Sequence, residues 1–309
     1  MRTTMKNISI LMVLLILACP VVAFADDSMD FFPLAPGTNM FNLYYNKISA
    51  DTFYADGSKA NEDFNLRGDI GVFRGAAYYN VGPFTALTAL LVPFGNTNLD
   101  TTVSTPGGPV QVHAASPAGL GDILLHTAVW VVNDKEKGFF FAPDLFITPP
   151  TGEYDKDKNM NMGENRWSFM PGLAVAKVLT SKGTFAQAKI STKFYTKNDE
   201  YTTATGVTGC GLEQEPLYQF QGFLTQFLNQ KTYISLNYFY NYGGETKVDG
   251  VKQDDKIKTH SVQFGISRNI AENVDLLIKY TKDVSVDNGP MTDVFGIRLT
   301  YLFPPDVKN

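Results

Sequence analysis

The chain has 309 residues, 18% of them charged, with a formal net charge of −5 and a mean hydropathy of −0.10. That hydropathy excludes a bundle of transmembrane helices, which needs several apolar runs of about 20 residues, and the acidic balance gives no electrostatic basis for a nucleic-acid partner. Two cysteines cannot make a disulfide scaffold, and 23 Phe, 15 Tyr and 26 Gly against so few charges is an unusual mixture for a cytosolic enzyme.

Residues 1–25 read as a secretory signal. Arg2 and Lys6 give a basic start, Ile8 to Ala18 an apolar stretch, and Ala23-Phe24-Ala25 a small-x-small cleavage site. Ile16-Leu17-Ala18-Cys19 loosely resembles a lipid-attachment site, but Pro20 directly after the cysteine favours cleavage after Ala25. Cleavage leaves Cys210 as a lone thiol in a Gly/Thr-rich loop. Residues 26–38 are expected to be a periplasmic lead-in, either disordered or plugging the periplasmic mouth of the domain through Phe31-Phe32-Pro33-Leu34.

From residue 39 onward the pattern is alternation, with no sustained helical period. Thr232–Tyr242 is the clearest case: Ile234, Leu236, Tyr238, Tyr240 and Tyr242 share one face, and Tyr233, Ser235, Asn237, Phe239 and Asn241 the other. Twelve such strands are predicted, at 39–49, 62–77, 84–94, 118–132, 139–149, 165–179, 184–197, 216–228, 232–242, 258–268, 274–283 and 292–303. Connections alternate long (50–61, 95–117, 150–164, 198–215, 243–257, 284–291) and short (78–83, 133–138, 180–183, 229–231, 269–273) along the whole chain. A soluble sandwich has no reason to gather every long loop at one end. A transmembrane barrel does, with short periplasmic turns and long extracellular loops. The strands also exceed the usual ~5–6 residues of soluble sheets and match the ~9–11 tilted residues that span a bilayer.

The expectation is therefore all-β: a single antiparallel transmembrane β-barrel over 39–303, with a short tail at 304–309. Tyr44, Tyr45, Tyr78, Tyr79, Trp130, Trp167, Tyr242 and Tyr301 sit near strand ends, as interfacial girdles would. The last strand ends Leu299-Thr300-Tyr301-Leu302-Phe303, similar to the terminal aromatic signal read by the outer-membrane assembly machinery. The implied partners are that machinery, membrane lipids and lipopolysaccharide, and a small-molecule solute.

No catalytic or metal-binding motif is present. His113, His126 and His260 have no metal-pair spacing, and no HExxH, GxSxG or phosphate-binding glycine loop occurs. Asp155 to Gly163 looks like a calcium loop, but the turn glycine and the bidentate acid both fail from either starting aspartate. His260-Ser261 lacks the continuation of a barrel phospholipase. No cofactor, metal or catalytic residue is expected. What remains is an interior inventory of lumen-lining candidates: Arg67, Asp69, Asp122, His126, Gln187, Lys189, Lys193, Gln221, Asp275, Lys279 and Arg298. Charges of both signs inside a barrel pair into a network or line a solute path. Twelve strands tilted by about 40° give a backbone radius of roughly 12 Å, so inward side chains leave room for a small-solute channel and no wide pore.

Several stretches carry a resemblance. They are Phe32-Pro33-Leu34-Ala35-Pro36-Gly37-Thr38, Gly119-Leu120-Gly121-Asp122, Gly152-Glu153-Tyr154, Gly163 to Gly172 (GENRWSFMPG) and Tyr242-Gly243-Gly244-Glu245. In this order they resemble the "MetA-pathway of phenol degradation" family of outer-membrane proteins. The resemblance implies uptake of small hydrophobic or aromatic compounds through the outer membrane. A plugged barrel with a structural or surface-interaction role, and a lipid-modifying barrel enzyme, are the alternatives.

Overall fold

The computed structural model describes residues 26–61, 63–105, 108–203 and 206–305. The signal segment 1–25 and the end of the tail, 306–309, lie outside the described residues. Twelve strands form the wall: β1 Asn39–Ala50, β2 Asn65–Val81, β3 Phe84–Thr105, β4 Leu124–Trp130, β5 Phe139–Thr148, β6 Ser168–Thr180, β7 Thr184–Tyr195, β8 Leu217–Asn229, β9 Thr232–Gly243, β10 Ile257–Ala271, β11 Val274–Val286 and β12 Asp293–Phe303. Each pairs antiparallel with the next. β12 returns to β1 in continuous register from Asn39↔Phe303 to Ser49↔Asp293, which closes the cylinder.

Four of the five short connections are hairpin turns that use a left-handed residue. Gly82, Gly138, Gly183 and Asn273 supply it, with φ between 57° and 84°. At the opposite end the long connections are themselves structured. β3 runs past the wall and pairs with Gly108–Leu120, so the expected loop 95–117 is a β-hairpin standing on the barrel rim. The fourth strand accordingly begins at Leu124, later than the 118 expected from alternation. Asn198–Tyr201, Cys210–Gln214, Thr246–Val248 and Val251–Lys252 make a four-stranded sheet from two different long connections. Phe53–Ala55, Ser58–Asn61 and Gly289–Pro290 make a three-stranded one.

The two faces of the wall invert the pattern of a soluble sheet. Outward positions include Leu43, Phe73, Leu90, Leu173, Ile190, Leu224, Phe264, Ile278 and Leu299, all exposed, and Leu236 is 60% exposed. Inward positions include Asn42, Asn46, Arg74, Gln187, Lys189, Gln221, Asn237, Gln263, Lys279 and Arg298, all buried. Exposed apolar side chains in a continuous band are stable only against lipid. Of the girdle candidates, Tyr45, Tyr79, Trp167, Tyr242 and Tyr301 face outward, whereas Tyr44, Tyr78 and Trp130 are buried inside.

Placing a charge in this band tests its assignment. Leu236→Arg, midway along β9, should lower folding stability in lipid vesicles by ~2–4 kcal/mol. Urea titration of the vesicle-inserted protein measures it, and an unchanged midpoint would place Leu236 away from lipid.

Candidate functional site: the plugged lumen

The segment expected as a periplasmic lead-in, 26–38, lies inside the barrel. It enters through a tight turn in which the Asp30 and Phe32 amides donate to the Asp27 and Met29 carbonyls. Met29 takes a φ of 77°, an uncommon conformation for a residue with a side chain. The turn aims three carboxylates at the wall. Asp27 accepts from Lys279 at 2.5 Å and from Arg298 at 3.1 Å. Asp30 meets Arg74 at 3.2 Å and Arg298 at 3.5 Å. Asp26 meets Lys189 at 2.9 Å.

Apolar and neutral contacts complete the docking. Phe31 packs edge-on to Phe223, and Phe32 edge-on to Phe140 and Phe185. The indole Nε1–H of Trp130 donates to the Phe31 carbonyl at 2.9 Å, and the Phe31 amide donates to Gln187 Oε1 at 3.1 Å. Ser28 Oγ donates to Asn237 Oδ1 at 3.1 Å. The chain then leaves the lumen, pairing Gly37 and Thr38 with Tyr78 before β1 begins.

The plug accounts for five of the eleven sequence-derived candidates. Gln187, Lys189, Lys279 and Arg298 bind it directly, and Asp275 shares Arg298 at 3.5 Å. His126 faces the lumen, but its partner is Asp144, at 3.2 Å from Nε2, with its ring stacked 3.9 Å from that of Phe146.

Arg67 and Asp69 are a correction. They occupy the outward phase of β2: Arg67 bonds Asp51, and Asp69 takes the hydroxyl of outward-facing Tyr45. The inward phase of β2 is Leu66, Gly68, Ile70, Val72, Arg74, Ala76 and Tyr78. It is largely apolar because it packs on the plug and the rim loops, so polarity misreports which side is wet. The same phase error hides Arg74. Asp26, Asp27, Asp30 and Asp144 are also absent from the sequence-derived candidates, and Asp26-Asp27 with Asp30 is the acidic cluster in the sequence that could have signalled a partner for the inward cations.

Asp122 is a second correction. It sits before β4 and clamps the rim loops, accepting the Gly152 amide on one oxygen and the Glu164 amide on the other, both at 2.7 Å. The backbones cross so closely that a Cβ on Gly152 would lie 2.6 Å from the Asp122 nitrogen and 2.8 Å from the Gly163 Cα. Burial pushes the Asp122 carboxyl up, opposed by the amides it accepts. Glu164 continues the clamp to Arg166 at 2.8 Å and Lys193 at 3.5 Å, and Arg166 reaches Gln214 at 2.6 Å. Tyr154 and Asn198 join at 3.0 Å. The loop motifs that carry the resemblance meet at this one point.

Between the clamp and the plug lies a cavity of about 80 Å³. Its apolar side chains are Leu124, Phe146, Met170 and Phe239; its polar lining includes Lys193, Gln219, Gln221 and Gln263. These residues occupy the loop-side halves of β4 to β11, and the plug binds the next inward residues below them, such as Lys189, Asn237 and Lys279. Among the described residues no group of three metal-ligating side chains occurs. Ser261 bonds Asp283 while His260 bonds outward-facing Tyr238, so the adjacent Ser and His point apart.

Two measurements check the site. Asp27→Asn leaves Lys279 and Arg298 short of counter-charge, and breaking such a buried pair costs ~3–5 kcal/mol; hydrogen exchange across 26–38 should speed up while the barrel strands stay protected. The second concerns pH. Burial raises Glu164, but Lys193 and Arg166 outweigh it and hold the carboxyl at about 2. Its folded value is depressed, so its stabilisation of the loops is complete above the ordinary carboxylate range and is lost as pH falls towards about 2. Protease cutting in 149–167 should increase over that interval, and Glu164→Gln should show the increase already at neutral pH.

Among solved structures, a COG4313 outer membrane channel from Pseudomonas putida F1 superposes with a TM-score of 0.80 at 24% identity, covering 90% of this chain and 100% of that one. The translocator domain of the autotransporter NalP from Neisseria meningitidis gives 0.54 at 11% identity, over 87% of this chain and 90% of that one. The transport unit of the autotransporter AIDA-I from Escherichia coli gives 0.53 at 10% identity, over 97% and 98%. Comparison with curated protein sequences finds no match. The closed barrel and its lipid-facing band place the protein in the outer membrane of a Gram-negative-type bacterium. One family model matches residues 50–299, and with most of the chain covered the protein belongs to the family described as "Putative MetA-pathway of phenol degradation".

Proposed function

We propose that the barrel is an occluded channel that takes up a small hydrophobic or aromatic compound. The observation that carries this is the cavity above the plug, where four apolar side chains face a polar wall at the loop-side end of the lumen. A ring or short chain would shed water against Phe146, Phe239, Leu124 and Met170, while a polar substituent meets Gln219, Gln221 or Gln263. The plug blocks passage straight down the axis, so transit requires 26–38 to shift. It is held by ion pairs, hydrogen bonds and a few aromatic contacts, and its one covalent link to the wall is the peptide bond into β1. The family's description names phenol degradation, which agrees with an aromatic solute.

A plugged barrel without transport is the second reading, and the filled mid-lumen favours it. Deleting 26–37 separates the two. In planar bilayers the deletion should raise conductance several-fold. In vesicles, intact protein should carry a phenolic solute faster than protein-free membrane, and Phe239→Asp should slow it. Intact protein that passes neither ions nor the phenolic solute, while the deletion conducts, would leave the structural reading standing.

A further inference from the structure

The buried charges around the plug fall into two groups. In one, Arg74, Lys279 and Arg298 face Asp27, Asp30 and Asp275, three cations against three carboxylates. In the other, Asp26 and Asp144 share the single ammonium of Lys189, itself fully buried. His126 also touches Asp144, but it does not supply the missing positive charge. Its Nδ1 is buried and has no hydrogen-bond partner among the described residues, so protonation would strand a second N–H in an apolar wall beside Phe146. The ring is neutral, with Nε2–H donated to Asp144. One oxygen of Asp144, Oδ1, is likewise buried without a partner. This group is one cation short.

We propose that the missing cation is the α-ammonium of Asp26, created when the Ala25–Asp26 bond is cut. Asp26 belongs to the deficient group, is only 8% exposed, and comes directly after the small-x-small site Ala23-Phe24-Ala25. Water adds across the amide in the signal peptidase. The C–N bond breaks, the water oxygen goes to the Ala25 carbonyl carbon, and both water protons end on the Asp26 nitrogen. Ala25 leaves as a carboxylate on the leader, and the nitrogen, neutral as an amide, becomes a charged ammonium with three donors. Two carboxylates then face two cations. Processing is in this way a charge-adding modification of the plug, and an uncut chain lacks the charge that completes its docking.

The test uses the full protein expressed with its leader and purified in detergent micelles. Intact-mass analysis should show a chain beginning at Asp26. An α-amine-selective aldehyde should label that terminus at least about tenfold more slowly in the folded barrel than in urea, the factor that ~1.4 kcal/mol of burial and pairing gives. Asp144→Asn, checked as folded by its heat-modifiable gel mobility, should label faster than wild type. His126→Gln should label at the wild-type rate. A terminus elsewhere, or labelling as fast folded as unfolded, overturns the proposal. Faster labelling of His126→Gln does so too, because the imidazole would then be the counter-charge, and this variant decides the matter should Asp144→Asn not fold. None of these readouts depends on solute passage.

Discussion

Four cations of the wall, Arg74, Lys189, Lys279 and Arg298, are carried into a dry interior, and the need to pair them dictates the whole centre of the molecule. A lone ammonium or guanidinium in low dielectric is prohibitive. Among the described residues the wall carboxylates that reach them are Asp144 and Asp275, too few for four positive charges. The remainder comes from Asp26, Asp27 and Asp30 on one short segment. The plug is thus the other half of the lumen's charge set, and its position fixes where the cavity ends.

The rim is organised by the opposite logic. There a carboxylate, Asp122, binds backbone amides, and glycines at 152 and 163 let three chain segments cross within a few ångströms. The clamp holds the loops over the barrel and connects through Glu164 to Lys193, which also lines the cavity. The cavity therefore has a roof braced by neutral and charge-assisted hydrogen bonds and a floor held by ion pairs, and solute entry and exit answer to different forces.

Strand number, hairpin ends and the sidedness of the loops are legible in the sequence because alternation and turn chemistry are local signals. The strands at β1 and β5 to β12 fall within a few residues of expectation. Phase fails where the interior is not wet. On β2 the plug and rim loops make the inward side apolar, so polarity sets Arg67 and Asp69 inside and passes over Arg74. Alternation likewise continues unbroken from β3 into its projecting hairpin, and nothing in a two-residue period marks where the bilayer stops. The plug itself has no period at all; its meaning lies in charges matched by residues far along the chain, and a single sequence does not display such pairing.

The separation between Asp27 and Arg298 is 271 positions, almost the length of the protein. The first segment to emerge therefore waits for the last strand before its partners exist. Contacts of such span form late, after loop closure has been met by nearer pairings. The plug can seat only in a finished cylinder, and its three acids keep it soluble in the meantime. Its docking is a completion signal, reporting from within that β12 has met β1 and the wall is whole.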